Sequence, residues 1–231
     1  MADKPSSPRL LLTRPAPGSE RFLAALRARG LPMTGAVLSP AIEVVSIGAP
    51  IDIPADAAAV FTSRHAVART RAETGTTAYC VGDATAQEAQ RHGFAPISAG
   101  GSADDLLQML LNERPTARLI YCHGAHIRRD IVAILQHAGL SVSANVVYDQ
   151  PALNPTEAAR ALLAGHEPII LPLFSTRTAE IVAGWVADAS APILPIALSD
   201  AVASAWKTAP KVAESPTLAA MVDAVAASCR S

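Results

Sequence analysis

The sequence predicts an α/β protein made of two similar lobes with parallel sheets. Its strongest signal is a repeat, since Leu10 to Leu31 (LLLTRPAPGSERFLAALRARGL) is echoed by Leu119 to Leu140 (LIYCHGAHIRRDIVAILQHAGL) at a constant shift of 109 positions. Each copy has an apolar run, a turn with Pro or Gly, an amphipathic stretch and a final Gly-Leu pair, which is the order expected of strand, loop, helix and glycine stop. We therefore expect the chain to contain one structural unit twice.

A second repeat follows each copy of the first. Residues 59–67 (AVFTSRHAV) resemble residues 172–180 (PLFSTRTAE), and both carry a Phe, two small hydroxyl residues and an Arg. In each region an apolar strand, a hydroxyl-rich turn and a helix follow one another three times, which indicates parallel strands with crossover helices. Ser102 and Thr217 are expected to cap one helix in each copy, and Gly93 is expected to end another.

Two proline-marked segments, residues 37–45 (VLSPAIEVV) and 146–153 (VVYDQPAL), occupy equivalent positions after the two copies of the first repeat. They are either ordinary connections, which would give tandem lobes divided near residue 115, or crossings between the lobes. Periodicity does not choose between these alternatives. Two crossing segments would pair as a two-stranded hinge, and a cleft between lobes is a preferred place for a small-molecule site.

Composition excludes several classes of function. Of the 231 residues, 50% are hydrophobic, which is enough to fill the cores of two lobes. A net charge of −1 and an aromatic content of 4% argue against nucleic-acid and acidic-membrane partners. The sequence has neither a signal-peptide pattern nor a membrane-spanning run. Its three cysteines form no metal-ligand or disulfide pattern, so we expect a cytoplasmic protein.

The candidate site residues cluster where strands lead into helices. In doubly wound sheets ligands bind at the carboxyl ends of the strands, beside helix N-termini whose free amides attract anions. Each single position also has a structural alternative, because Ser and Thr cap helices and arginines are often solvated. The residues at these junctions are Thr13, Arg14, Thr62, Ser63, Arg64, His65, Gly82, Asp83, Thr85, His123, Gly124, Ser175, Thr176 and Arg177.

The remaining polar residues indicate no strong nucleophile, metal or cofactor. No HExxH, paired CxxC, GxSxG, Walker A or GxGxxG motif is present. His123 and His126 are expected to cap or to be solvated in a loop before a helix, and Cys80 and Cys122 to be core residues. Arg128 and Arg129 are predicted to begin that helix, where a cation opposes the helix dipole unless an anion is bound. For Tyr148 the residues alone favour packing over a position in the cleft.

An ordered set of motifs resembles the uroporphyrinogen-III synthase family over nearly the whole chain. The motifs are LLTRP, FTSRHAV, VGDATAQEAQRHGF, GGSADDLLQML, LIYCHGAHIRRDIVAIL, VYDQP and LFSTRTAE. The resemblance implies two flavodoxin-like lobes of interleaved topology joined by a two-stranded β-ladder hinge, which selects the crossing alternative. The expected lobes are residues 1–36 with 154–231 (outer) and residues 46–146 (inner), with 37–45 and 147–153 as crossing segments.

The resemblance also implies a reaction, the cyclisation of linear hydroxymethylbilane to uroporphyrinogen III with loss of water and inversion of ring D. The family uses no metal or organic cofactor, and it acts mainly by holding a flexible linear tetrapyrrole with eight carboxylates in one conformation. Transient contact with the preceding or following pathway enzymes is a further expectation. Tyr148 matches the family's tyrosine in the crossing segment and is the expected proton donor to the leaving hydroxyl. The expected substrate contacts are Arg14, Thr62, Ser63, Arg64, Thr85, Gly124, Arg128, Ser175, Thr176 and Arg177.

Two departures from the family pattern keep an alternative open. Residues 199–202 (SDAV) replace a glycine and a threonine-rich turn, and Arg64-His65 replaces a turn that usually contains proline. The alternative is a two-lobed ligand-binding or regulatory protein of the same fold that has lost catalysis. A nicotinamide-dependent α/β enzyme is disfavoured because no GxGxxG motif follows the first strand.

Overall fold

The structure, a computed structural model, describes residues 8–31, 33–127 and 129–229. The chain divides into two compact units, of which unit 1 is Met1–Glu43 with Ala152–Ser231 and unit 2 is Val44–Pro151. The predicted α/β class with parallel sheets is confirmed. In the part of the chain that is described, no helix is both long enough and apolar enough to cross a membrane.

The elements alternate between strands and helices along the chain. The first half contains β1 Arg9–Leu12, α1 Ala16–Ala28, β2 Val37–Leu38, β3 Val45–Ser46, β4 Ile51–Asp52, β5 Ala57–Phe61, α2 Arg64–Val67, β6 Thr70–Arg71, β7 Thr77–Cys80, α3 Asp83–Arg91, β8 Ala95–Ser98 and α4 Ala103–Glu113. The second half contains β9 Arg118–Gly124, α5 Ile131–His137, β10 Val142–Asp149, α6 Glu157–Leu163, β11 Ile169–Leu173, α7 Thr176–Trp185, β12 Ile193–Ala197, α8 Asp200–Ala203, β13 Lys211–Val212 and α9 Leu218–Ser228.

Unit 1 is built on a parallel sheet with the strand order β2-β1-β11-β12-β13. Numbered as the chain reaches them, these strands follow the order 2-1-3-4-5 of flavodoxin-like sheets. Side chains alternate between the two faces of a strand, so Leu10 and Leu12 pack with Phe22 of α1 on one face. Leu11 packs with Val182 of α7 on the other. Both faces of the sheet are therefore covered by helices.

Unit 2 has a larger sheet with the order β3-β10-β9-β5-β7-β8, in which β3 is antiparallel and the other strands are parallel. Apart from β3, unit 2 has the same strand order as unit 1, and β9 and β10 occupy the places of β1 and β2. In unit 1 the chain forms β1 and β2 first, whereas in unit 2 it forms β9 and β10 last, which is a circular permutation of the same fold. Val60 packs with Leu110 and Leu135 on one face, and Phe61 packs with Ala89 on the other. A separate pair, β4 and β6, completes the unit.

The predicted glycine stops and the helix caps at Ser102 and Thr217 are confirmed. Gly30 and Gly139 follow the helices of the two copies of the first repeat with φ of 76° and 82°, a left-handed conformation that glycine adopts without strain. Gly93 ends α3 in the same way, with φ of 85°. Ser102 forms a capping box at α4, and the Thr217 hydroxyl accepts the Ala220 N–H at 3.2 Å at the start of α9.

The predicted start of α5, at Arg128, is wrong by three residues. The helix begins at Ile131, because the Asp130 carboxylate accepts the Ala133 N–H at 2.9 Å and so acts as the N-cap. Arg129 lies before this cap and forms an ion pair with Asp104 of α4. Arg128 lies outside the described residues. The N-terminus of α5 therefore carries the negative charge of Asp130, which the helix dipole favours, and not the positive charges that the sequence predicted there.

The two proline-marked segments contribute antiparallel pairs to each unit. In unit 1 an isolated bridge joins Ile42 to Ala152. In unit 2, β3 pairs with β10 so that Val45 faces Asp149 and Ser46 faces Tyr148. The position of Tyr148 is thus held by backbone pairing on both sides of β10, because β9 pairs with the opposite edge of that strand.

Candidate functional site

Unit 2 contains a cavity of about 220 Å³ at the carboxyl ends of β5 and β9. The chain leaves β5 towards β7 and leaves β9 towards β10, in opposite directions across the sheet. This is the switch point of a doubly wound sheet, where a crevice forms outside the strand ends and ligands bind. The lining residues are Thr62, Ala103, Tyr121, His123, Gly124, His126, Ile127, Arg129, Ile131 and Tyr148.

Tyr148 forms one wall of the cavity and is held against Gly124. A Cβ atom at position 124 would lie 2.6 Å from Cε2 and Cζ of the tyrosine ring and 2.9 Å from its Oη. Such a contact is too short for any side chain, so glycine at position 124 allows the ring to occupy this place. Within the described residues the Tyr148 hydroxyl has no hydrogen-bond partner, and it is available to a molecule in the cavity.

Tyr121 supplies a second hydroxyl to the same cavity. Its Oη lies 3.1 Å from the Thr62 Oγ1, at hydrogen-bonding distance. Burial raises the pKa of Tyr121, the Thr62 hydrogen bond opposes this shift, and the nearby Tyr148 charge adds to it. Tyr121 therefore keeps its proton at neutral pH and serves as a neutral hydrogen-bonding group.

His123 is buried beside this pair, with 8% of its surface exposed. Its ring stacks on Tyr121, with ring centroids 4.6 Å apart and an angle of 24° between the planes. Its Nδ1 lies 2.7 Å from the Gly124 carbonyl oxygen. A carbonyl oxygen only accepts hydrogen bonds, so Nδ1 carries a proton, and in the neutral ring Nε2 is the unprotonated nitrogen.

Two basic side chains that line the cavity each face a carboxylate. His126 Nε2 is 3.2 Å from the Asp149 carboxylate, and both side chains are partly exposed. Arg129 pairs with Asp104, and both are exposed as well. An entering carboxylate can replace Asp149 or Asp104 as the partner of these basic groups, which suits an anionic ligand.

The other predicted residues of unit 2 have different positions. Ser63 caps α2, since its Oγ accepts the His65 N–H at 3.2 Å, and Arg64 is the first residue of that helix. Thr85 is buried within α3. Among the described residues these three do not line the cavity, whereas Thr62 and Gly124 do. Arg128, also predicted as a substrate contact, lies outside the described residues.

The predicted residues of unit 1 gather at the equivalent strand ends, after β1 and β11. The Arg14 guanidinium lies 3.9 Å from the centre of the Phe174 ring, in cation–π contact. Ser175 caps α7 by accepting the Thr178 N–H at 3.2 Å, and Thr176 and Arg177 form the first turn of that helix. Unit 1 thus brings Arg14 and the residues around Ser175 together.

Sequence reasoning did not place Tyr121 or His126 at the candidate site, and it included His123 only among the residues at the strand–helix junctions. The expectation that His123 lies in a loop is wrong, because β9 extends to Gly124 and buries the imidazole. The signal that would have found it is the alternation within LIYCHG. Residues two apart face the same side of a strand, so Tyr121 and His123 had to point together from the end of β9.

The cysteines are confirmed as core residues of unit 2. Cys80 and Cys122 are free and buried, and burial raises the pKa of each thiol to about 12, so neither is a nucleophile at neutral pH. In the described ranges no three His, Cys, Asp or Glu side chains are grouped so that they could hold a metal ion.

Comparisons with known proteins agree with the resemblance seen in the motifs. Residues 20–223 match the family model of uroporphyrinogen-III synthase HemD. The fold is similar to that of uroporphyrinogen-III synthetase from Helicobacter pylori, with a TM-score of 0.68, 16% identity, and coverage of 95% of this chain and 99% of that chain. A mutant uroporphyrinogen III synthase from Thermus thermophilus gives a TM-score of 0.55, 15% identity, and coverage of 96% and 99%.

No curated protein sequence matches the chain. At such low identities the solved structures establish the shared fold, while the family model covers residues 20–223, which is most of the chain. This protein belongs to the uroporphyrinogen-III synthase family.

Proposed function

We propose that this protein is a cytoplasmic lyase that cyclises hydroxymethylbilane to uroporphyrinogen III, with loss of water and inversion of ring D. The observation that carries the proposal is the Tyr148 phenol, placed against Gly124 at the wall of a cavity at the sheet's switch point. The family resemblance assigns the proton donor to this same tyrosine. The family chemistry requires no metal or organic cofactor.

The first step is the departure of the hydroxymethyl oxygen. Tyr148 donates its proton to that oxygen, the C–O bond breaks, and water leaves an azafulvene cation behind. Ring D then attacks through its substituted α-carbon to form a spiro intermediate, which fragments and closes again in the inverted orientation. The protein contributes mainly by holding the chain in the geometry that leads to this isomer.

The cavity takes only part of this substrate. Its volume of about 220 Å³ is below the roughly 300–1,000 Å³ of sites that enclose a drug-sized ligand. We assign the reacting end of the bilane to it, beside Tyr148 and Thr62. The other proposed contacts bind the remaining carboxylates through cationic, amide and hydroxyl groups, and they are Arg14, Ser63, Arg64, Thr85, Gly124, Arg128, Ser175, Thr176 and Arg177.

The lobe organisation is part of the same proposal. Residues 1–36 with 154–231 form the outer lobe and residues 46–146 the inner lobe, each flavodoxin-like, with 37–45 and 147–153 as crossing segments. The pairs Ile42 with Ala152 and Ser46 with Tyr148 fit one antiparallel register, which supports a two-stranded β-ladder between these segments.

The test is an isomer assay. Hydroxymethylbilane is generated in situ, the protein is added, and the products are oxidised and separated into isomers I and III. We expect isomer III in proportion to the amount of protein. Isomer I alone, the product of spontaneous closure, would overturn the proposed activity and favour a binding or regulatory protein of this fold.

A further inference from the structure

Ring closure needs a proton acceptor as well as a proton donor. The water that is lost takes its hydroxyl from one end of the bilane and its balancing hydrogen from the free α-carbon of the terminal pyrrole. Tyr148 accounts for the first of these events only. We propose that His123 is the base that removes the α-carbon proton, an inference that rests on the proposed function of this site.

The tautomer of His123 suits a base. Its Nδ1–H donates to the Gly124 carbonyl oxygen at 2.7 Å, which leaves the lone pair on Nε2. The side chain lines the cavity, and Nε2 has no hydrogen-bond partner within residues 8–31, 33–127 and 129–229. Stacking on Tyr121 holds the ring from a second direction. The imidazole is therefore fixed in orientation while one nitrogen remains available to the contents of the cavity.

The neighbouring groups are less suited to this task. Tyr121 keeps its proton because burial raises its pKa. His126 is more exposed, and its Nε2 already faces Asp149 at 3.2 Å. Arg129 is a cation paired with Asp104. Among the described residues that line the cavity, His123 is thus the base without a competing acidic partner.

His65 is the remaining imidazole near the phenol. Its ring centroid lies 5.8 Å from that of Tyr148, at a tilt of 56°. It sits in α2 and does not belong to the described wall of the cavity. This makes it a suitable control rather than a second base.

The proposed cycle balances. Tyr148 gives a proton to the hydroxymethyl oxygen, the C–O bond breaks, and water departs. After ring inversion the free α-carbon of the terminal pyrrole forms the closing C–C bond. Its C–H bond then breaks, the electron pair restores the aromatic pyrrole, and the proton goes to His123 Nε2. Proton transfer from the imidazolium to the Tyr148 phenolate through solvent restores both groups, so the net change is loss of one water.

The first experiment replaces His123 by Asn. The asparagine amide nitrogen stands near the place of Nδ1 and can keep the hydrogen bond to the Gly124 carbonyl, but it has no basic nitrogen. We expect kcat for isomer III to fall about 100-fold or more. Added imidazole should restore part of the activity. His65→Asn, a histidine outside the described wall of the cavity, should lose far less with the same substrate.

The second experiment identifies the step that is slowed. With deuterium at the free α-carbon of the terminal pyrrole, H123N should show a primary isotope effect on kcat, because C–H cleavage becomes rate-limiting. Tyr148→Phe should show none, since departure of the hydroxyl limits that variant. His123→Gln, with its amide near the place of Nε2, provides a second variant should H123N fail to fold.

Three results would overturn the assignment of His123. These are a folded H123N or H123Q variant with kcat near that of wild type, a slowed variant without an isotope effect, and a slowed variant that imidazole does not rescue. Failure of the proposed function looks different, because wild-type protein would then yield isomer I alone before any variant is compared.

Discussion

The two units share one strand order but carry different groups at the same place in the sheet. In unit 1 the ends of β1 and β11 are bridged by the Arg14 guanidinium over the Phe174 ring. In unit 2 the corresponding ends of β9 and β5 open into a cavity with Tyr148, Tyr121 and His123. A duplicated scaffold thus provides two switch points, one with an arginine over a phenylalanine ring and the other with two tyrosines and a buried histidine.

The difference arises from single positions after the strands. Gly124 follows His123 at the end of β9 and leaves room for the Tyr148 ring. At the equivalent end of β1 the chain has Arg14, whose Nε would lie 3.0 Å from a Cβ on Gly18. Unit 2 also has the antiparallel strand β3, which pairs with the strand that carries Tyr148. The strand order is therefore common to both units, whereas the side chains at the switch points are specific to each.

The largest effect is expected for Tyr148→Phe. The ring remains against Gly124 and only the hydroxyl is lost, so kcat for isomer III should fall about 100-fold or more. The free energy of unfolding should change by less than about 1 kcal/mol, because the hydroxyl has no partner among the described residues. The matched control is Tyr79→Phe, a buried tyrosine of β7. Unchanged turnover in Y148F would remove Tyr148 as the proton donor.

Gly124→Ala and Gly18→Ala test the two switch points against each other. The new methyl group at position 124 meets the buried Tyr148 ring at 2.6 Å, so the ring must move. A displacement near 1 Å can cost about 100-fold in rate. At position 18 the group that must move is the Arg14 side chain, so a smaller loss is expected. The measurement is kcat for isomer III in each variant. Equal decreases in kcat would contradict the proposal that the reaction takes place at the unit 2 site.

Gly139→Val and Gly30→Val test the repeat itself. Both glycines have a left-handed conformation after equivalent helices, with φ of 82° and 76°. A β-branched residue there should destabilise each unit by about 1–3 kcal/mol. Gly184→Ala in α7 is the control, because its site is open and alanine favours helix by up to about 1 kcal/mol. Urea unfolding measures all three, and a neutral effect at either valine site would refute the equivalence.

The smallest effect concerns pH and unit 2. Burial, with a further contribution from the Arg64 charge, lowers the pKa of His65 from its ordinary value of 6.5. Between these two pKa values the folded state binds fewer protons than the unfolded state. The contribution of His65 to the free energy of unfolding is therefore complete above pH 6.5 and is lost as the pH falls towards the lowered pKa. Unfolding of wild type and His65→Gln on both sides of 6.5 should show a weaker pH dependence in the variant.

Local signals predicted much of the fold. The glycine stops at Gly30 and Gly139 and the caps at Ser102 and Thr217 depend on neighbouring residues, and all are found where expected. The sequence placed His123 in a loop, whereas β9 continues to Gly124. The C-terminal end of this strand was missed because it depends on the pairing of Gly124 with Tyr148, which is distant in sequence. The start of α5 was misplaced for a local reason, since Asp130 rather than an arginine caps the helix.

The sequence by itself determined the repeat, the α/β class and the family, because periodicity, turn residues and ordered motifs are properties of the chain. Only the tertiary structure decided that Gly124 makes room for the Tyr148 ring, that His123 is buried with a defined tautomer, and that Thr62 meets Tyr121. The physical reason is that a switch-point cavity is assembled from strands far apart in sequence. Contacts across it follow from sheet order and register, which local patterns do not encode.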